Sequence, residues 1–293
     1  GEWVNFYANY TLLANDSEIQ KSGVDDIMTT TSTTNNSVLT ILQGGRLNWG
    51  YNMDDLSYTP RLVDLDHDGF KNEVYAISRK SSIYAINQSG NSDWSVVYNF
   101  PTNSTDLIVG DFDNDGYIDD VATEYARSPE KIQFFHNNGT NLFNYSIAGY
   151  LIQSMRTTDI DKDGYYDDIV ALGYSLTPAV VDHLYAIDGS AKTELWQFNF
   201  SSSVSTYDAS NFLDVGDLDG DGYEDDTVFT DGVNKLYAVD GLGQQLWSVQ
   251  TSGVGFQYGR PFIGDPNSDG YNEVAVTEGS GSFANLYLLN GTS

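Results

Sequence analysis

Ten consecutive positions, DFDNDGYIDD from Asp111 to Asp120, hold five aspartates and a glycine, after which the chain passes at once into the apolar alternation VATEY. The same arrangement begins at Asp64, Asp159, Asp217 and Asp265, and three of the four separations are 47 or 48 residues. A fixed period of this length constrains the fold more than any composition, because each repeat must be one supersecondary unit that buries its apolar faces against its neighbours. Each acidic loop is followed by a strand-like run: EVYAIS, DVATEY, DIVALG, DTVFTD and EVAVTE. Three repeats continue into matching hairpins, SIYAINQSGNSDWSVV, HLYAIDGSAKTELWQF and KLYAVDGLGQQLWSVQ. Alternation with period two, and no helical period, reads as strand, acidic loop, strand, short loop, strand, Gly-rich turn, strand. Four strands in about 48 residues is the size of a propeller blade.

The expected fold is therefore all-β, a six-bladed β-propeller with four-stranded blades, forming a single domain over residues 1–293. The blades fall at about 10–54, 55–101, 102–148, 149–202, 203–252 and 253–293. The first is degenerate: EIQKSGVDDIM keeps Gly23 and the pair Asp25 and Asp26, but has Gln20 and Ser22 where the others carry carboxylates or Asn. The last repeat stops after its third strand, NLYLLNGTS, while the opening GEWVNFYANY resembles a fourth strand. Residues 1–9 are thus expected to complete the last blade, a closure that removes exposed sheet edges.

Composition supplies material and exclusions. Hydrophobic residues make up 40% of the 293 and aromatic residues 14%, enough for a large core. Cysteine is absent, which excludes disulfides, thiolate metal sites and thiol nucleophiles. No apolar run approaches the roughly 18 residues that span a bilayer, and Gly1 opens with neither the basic nor the apolar region of a leader. The expectation is that a leader was removed or never present. The formal charge is -29, and over half of the 42 acidic residues lie in the five loops. With only 13 Lys and Arg, nucleic acid is not an expected partner.

Four carboxylates in one short loop repel one another unless a cation sits among them. Asp111, Asp113, Asp115 and Asp119 stand at loop positions 1, 3, 5 and 9, with the Tyr117 carbonyl at position 7 and Gly116 allowing the sharp turn. Hard oxygen ligands in a flexible loop suit Ca²⁺ better than Mg²⁺ or a transition metal. The same positions are Asp64, Asp66, Asp68, Phe70 and Asn72 in one loop, and Asp159, Asp161, Asp163, Tyr165 and Asp167 in another. Asp217, Asp219, Asp221, Tyr223 and Asp225 form the next. The last is shorter by one residue, with Asp265, Asn267, Asp269, Tyr271 and Glu273. Its Pro266 and lower charge make it the weakest of about five expected Ca²⁺ sites. The plain alternative is a set of solvated Asp/Gly turns, which four near-identical copies at one period disfavour. An EF-hand needs Glu at position 12, where this chain has Tyr75, Ala122, Val170 and Val228.

VGDFDNDGYIDD, VGDLDGDGYEDD and VDLDHDGFKNE resemble the calcium loops of FG-GAP/VCBS repeats, the family that builds integrin α-subunit-like propellers and many prokaryotic surface proteins. The resemblance covers essentially the whole chain, although the Phe-Gly and Gly-Ala-Pro segments behind the family's name are not recognisable. It implies that each metal loop joins the innermost strand of a blade to the next strand. The hairpins AIDGSAKTELW and AVDGLGQQLW also resemble the tryptophan-docking repeats of quinoproteins, which assigns Trp94, Trp196 and Trp247 to packing.

Catalysis finds little support. His67, His136 and His183 accompany no nucleophile motif, and no P-loop, dinucleotide fingerprint, G-x-S-x-G or H-E-x-x-H occurs. The chain is expected not to be an enzyme. The face opposite the metal loops should carry the long loops and most basic residues, including Arg61 and Arg156. Its candidate ligand-binding residues are Tyr125, Arg127, Tyr174, Tyr207, Tyr258 and Arg260, with protein or glycan as partner; for the tyrosines, ordinary loop anchoring is the favoured alternative. Sequons stand at Asn9, Asn15, Asn35, Asn87, Asn103, Asn138, Asn144, Asn199 and Asn290, more than chance gives, and favour a glycosylated, extracellular or cell-surface protein. The expected role is a calcium-stabilised binding, adhesion or surface-assembly module. The alternatives are a subunit of a polymeric surface layer or filament, with self-association, and a propeller-based enzyme such as a polysaccharide lyase or quinone-dependent dehydrogenase.

Overall fold

The computed structural model describes residues 26–33, 36–43, 46–54, 57–78, 82–97, 106–125, 131–147, 150–175, 182–200, 212–231, 234–250, 260–280 and 283–291. Every regular element among them is a strand. The first seven are β1 (Asp26–Thr33), β2 (Asn36–Gln43), β3 (Arg46–Met53), β4 (Ser57–Val63), β5 (Glu73–Ser78), β6 (Ser82–Ile86) and β7 (Ser92–Val97). Next come β8 (Leu107–Gly110), β9 (Asp120–Tyr125), β10 (Lys131–Phe135), β11 (Asn141–Ser146), β12 (Tyr150–Thr158), β13 (Asp168–Ser175), β14 (Asp182–Asp188) and β15 (Thr193–Phe200). The rest are β16 (Leu213–Gly216), β17 (Asp226–Thr230), β18 (Lys235–Val239), β19 (Gln245–Gln250), β20 (Phe262–Gly264), β21 (Glu273–Ser280) and β22 (Phe283–Asn290). Consecutive strands pair antiparallel as meanders: β4–β7, β8–β11, β12–β15 and β16–β19 are four-stranded, while β1–β3 and β20–β22 have three described strands each. The four-stranded repeat expected from the period is met in the middle of the chain. The strand expected to complete the last sheet, residues 1–9, lies outside the described residues, as does the degenerate loop up to Val24 and Asp25.

The chain divides into two compact units, residues 1–107 with 137–139, and residues 108–136 with 140–293. In the second unit, sheets pack face to face and explain the composition of their middle strands. Ile169 and Ala171 of β13 pack with Ile108, Phe134 and Met155 on one side. Their sequence neighbours Val170 and Leu172 pack with Leu213, Phe229 and Tyr237 on the other. Side chains alternate across a strand, so a strand covered on both faces must be apolar at nearly every position, as DIVALG is. Outer strands have one covered face: β7 and β11 carry only exposed and half-buried residues, alternating over their second halves.

The tryptophans dock as the resemblance to docking repeats implies. Trp196 donates its indole N–H to the Gly241 carbonyl at 2.8 Å, and Trp247 does the same to Gly291 at 2.7 Å. In the first unit Trp94 donates to the Asn137 carbonyl. The fourth strand of the β8–β11 sheet has Phe143 instead, and Lys192 lays its ammonium 4.5 Å from that ring. A cation over an aromatic face replaces an indole hydrogen bond there.

Candidate metal centres

The five acidic loops all join the first strand of a sheet to its second, as the resemblance implies: β4 to β5, β8 to β9, β12 to β13, β16 to β17 and β20 to β21. Their backbone follows one pattern. The position-1 carboxylate accepts two backbone N–H groups from across the loop, as at Asp111 from Asp115 and Gly116, both at 2.9 Å. Asp64, Asp159 and Asp265 do likewise at 2.9 to 3.1 Å, and Asp217 accepts from Gly220 and Gly222. Position 3 accepts from the position-5 N–H, and position 5 from the position-7 N–H. This folding requires a left-handed residue at position 4 (φ 57° at Asn114, 63° at Lys162) and another at position 6, where Gly116 has φ 93°. Only glycine adopts the latter without strain, which is why every loop has it.

The carboxylates converge as a result. One oxygen each from Asp111, Asp113 and Asp115 lies within 4.8 Å of the others, and the same holds for Asp159, Asp161 and Asp163. In the first unit the convergent set is Asp64, Asp66 and Glu73. Asp119, Asp167 and Asp225 at position 9 are buried, whereas the position-7 rings of Phe70, Tyr117, Tyr165, Tyr223 and Tyr271 are exposed, leaving their carbonyls as the groups on offer.

Sequence reasoning missed the tenth position. Glu73, Asp120, Asp168 and Asp226 each begin the second strand and are each 1% exposed. One oxygen of Asp168 accepts the N–H groups of Ile160 and Asp161 at 2.7 and 3.0 Å, and Asp226 accepts those of Leu218 and Asp219 at 2.7 and 2.9 Å. Glu273, expected as a position-9 ligand, also begins a strand, β21, and receives the Asn267 side-chain amide at 3.0 Å. The signal was in the sequence as a doubled DD or NE at the end of every loop. Other oxygens here are buried without a hydrogen bond: Asn72 Oδ1, Glu73 Oε1, Asp168 Oδ1 and Glu273 Oε2. Burial accordingly pushes Glu73, Asp167, Asp168 and Asp226 up to about 7, with neighbouring carboxylates adding to the effect. Orphaned buried carboxylate and amide oxygens beside convergent carboxylates are what a hard divalent cation satisfies, so the donor set fits Ca²⁺.

Three further side chains reach these loops. The end of the third strand, β14, contributes Asp188, buried and clustered with Asp167 and Asp168. The corresponding residue of the β8–β11 sheet is His136, whose Nδ1 lies 3.1 Å from Asp113 Oδ2. Lys162, from position 4 of the β12–β13 loop, crosses to the β16–β17 loop, where its Nζ is 2.8 Å from Asp221 Oδ2 and 3.3 Å from Asp225 Oδ2.

Of the residues expected on the ligand face, Tyr174 needs correction. Tyr174 is 5% exposed and donates its hydroxyl to the Thr230 carbonyl, so it is a core anchor between sheets and presents no binding surface. Arg61 pairs with Asp106 at 3.1 Å and Arg156 with Asp214 at 3.5 Å, which spends these charges on carboxylates near the first strands. Arg260 is half-buried. Arg127, Tyr207, Tyr258 and the Tyr125 side chain lie outside the described residues. Asn138, Asn144, Asn199 and Asn290 are exposed and Asn87 is half-buried, while Asn9, Asn15, Asn35 and Asn103 lie outside the described residues.

No family model matches the chain, and no curated protein matches it. Solved structures do. The dihydro-heme d1 dehydrogenase NirN aligns with a TM-score of 0.61 at 12% identity, covering 90% of this chain and 52% of that one. BBS1N in complex with ARL6DN aligns at 0.61 and 8% identity, over 90% and 75% of the two chains. The Dos1 propeller aligns at 0.57 and 12% identity, over 86% and 64%. The chain thus spans about half the length of the dehydrogenase. At these identities the likeness is one of fold: an all-β propeller of antiparallel, mostly four-stranded sheets. Among the described residues no helix is long and apolar enough to cross a membrane.

Proposed function

We propose that the chain is a six-bladed, Ca²⁺-stabilised propeller that acts outside the cell as a binding, adhesion or surface-assembly module. The observation that carries the reading is the repeated loop in which convergent carboxylates lie beside buried oxygens that have no hydrogen-bond partner, as at Asp64, Asp66 and Glu73. The residues that would hold the ions are positions 1, 3, 5 and 9, with the position-7 carbonyl. Bound there, Ca²⁺ supplies positive charge that makes like-charged loops compatible with a folded sheet, so that binding energy becomes folding energy. Millimolar extracellular calcium saturates even weak sites of this type. Exposed sequons at Asn138, Asn144, Asn199 and Asn290 fit an exported protein. Propellers at this level of likeness include a partner-binding one, BBS1N with ARL6DN, which supports protein recognition as the use of the fold. No catalytic step is assigned to the chain.

A second reading, assembly into a surface polymer, is favoured by β22. Leu286 and Leu288 are 74% and 58% exposed on this strand, the last of the three described in its sheet. Such an edge accepts a further strand, supplied by residues 1–9 of the same chain in the first reading and of a second copy in the other.

Native mass spectrometry of protein prepared without chelator tests the calcium reading. About five bound calcium ions, lost on EDTA treatment, are expected; a mass equal to that of the bare polypeptide in millimolar Ca²⁺ would refute it. Sedimentation at micromolar protein separates the two modes of strand completion, a monomer excluding the polymer.

A further inference from the structure

The slot between neighbouring loops is occupied differently at each step. In the second unit, the position-4 residue of one loop faces the next: the Asn114 side-chain amide reaches to 3.1 Å from Asp167 Oδ2, a contact that assigns its nitrogen to that side, and Lys162 has its ammonium on Asp221 and Asp225. Gly220 offers no side chain, and the Tyr271 ring stands near the space. Thus the same place carries a neutral amide before the β12–β13 loop, a fixed positive charge before the β16–β17 loop, and nothing before the β20–β21 loop.

Lys162 is well held. Its ammonium makes a 2.8 Å charge-assisted hydrogen bond to Asp221 Oδ2, lies 3.3 Å from Asp225 Oδ2 and sits 4.0 Å from the centre of the Tyr223 ring. Asp225 is nearly inaccessible, with a side-chain exposure of 5%. Asp221, Tyr223 and Asp225 are positions 5, 7 and 9 of the loop, the part from which three ligands would come. A cation at these oxygens is therefore already present in the chain, tethered to the preceding loop.

We propose that Lys162 is a built-in competitor for the metal site of the β16–β17 loop: its ammonium neutralises Asp221 and Asp225 when no ion is bound, and must withdraw for Ca²⁺ to bind there. The inference rests on the calcium reading of the loops. It makes this loop one that stays ordered at low calcium and takes up its ion later than the Asp111 and Asp159 loops, although its carboxylate count alone would place it level with them.

Isothermal titration of Ca²⁺ into the chelator-stripped full chain tests this, comparing wild type with K162M, K162Q and K162R. K162M keeps an apolar stem over Tyr223 and removes the charge; K162Q serves if K162M does not fold. Charge removal should tighten one site by about tenfold, the scale of one charge-assisted hydrogen bond. K162R should bind like wild type, and K162M/D225N should lose the gain. If wild type and the neutral variants bind calcium with superimposable isotherms, or removal of the charge weakens binding, the competitor role is overturned while the calcium sites stand. If neither wild type nor the neutral variants bind calcium, the calcium reading fails and this inference fails with it.

Discussion

Trp196 and Gly243 are in contact because Gly243 has no side chain: a Cβ built there would lie 2.8 Å from Trp196 Cδ2. Gly243 also has φ 78°, where an L side chain is strained. Both effects act against G243A, which should cost about 2 kcal/mol or more in urea unfolding at fixed calcium. W196F removes the indole donor to the Gly241 carbonyl while keeping an aromatic ring, and should cost about 1 kcal/mol. Equal stability of G243A and wild type would show that the indole does not press on the turn.

Asp214 ties three consecutive first strands of the second unit. Its Oδ1 is 3.5 Å from Arg156 Nε on β12, and its Oδ2 accepts the Ile263 N–H of β20 at 3.0 Å. Burial pushes the Asp214 carboxyl up and Arg156 opposes that. R156M leaves the carboxylate without its nearest cation and should destabilise by about 1–3 kcal/mol. R156M/D214N should cost less than the sum of the single variants, because the uncompensated charge is gone. Additive losses would show that the pair is not coupled.

Asp168 should behave oppositely with and without calcium. Asn at this position keeps an oxygen for the Ile160 and Asp161 N–H groups and turns its NH₂ toward the cluster of Asp167 and Asp188. In EDTA, D168N should raise the melting temperature by a few degrees; in millimolar Ca²⁺ it should shrink the calcium-induced rise. A melting temperature lowered by the same amount in both conditions would assign Asp168 a purely structural role.

The pH dependence of the metal-free protein has a definite sign. Glu73, Asp167, Asp168 and Asp226 are pushed up to about 7, above an unfolded value near 4. Between these values the folded state binds more protons than the unfolded state, so stability falls as pH rises. This contribution is fully present below about pH 4 and is lost as pH passes through about 7. In EDTA the melting temperature should therefore climb from pH 8 to pH 5. With saturating Ca²⁺ the carboxylates are held ionised and the slope should reverse. Slopes of the same sign in both series would separate these groups from metal binding.

The period of the acidic loops made the strand order and the loop positions legible, since one loop per sheet fixes where first strands end. The packing role of the tryptophans was equally readable from the resemblance of their hairpins to docking repeats, in which a bulky ring recurs a few residues after a Gly-rich turn. Asp168 and its counterparts escaped because the apolar run that follows makes them look like the edge of a strand, while their burial depends on how the loop folds back over them. The crossing of Lys162 escaped for a different reason: nothing along a chain shows that a side chain in one loop reaches the next, roughly 60 residues later. Tyr174 could not be divided between ligand face and anchor, since a tyrosine at the start of a long loop has the same local signature whether its ring turns outward or between two sheets.

The central claim, that cations at the convergent aspartates hold the sheets together, is tested most directly by thermal unfolding of the full chain in millimolar Ca²⁺ and again after excess EDTA at pH 7.5. Binding to several sites of the folded state alone should raise the melting temperature by well over 10 °C, reversibly and in a calcium-dependent manner. Identical melting curves with calcium and with EDTA would contradict it.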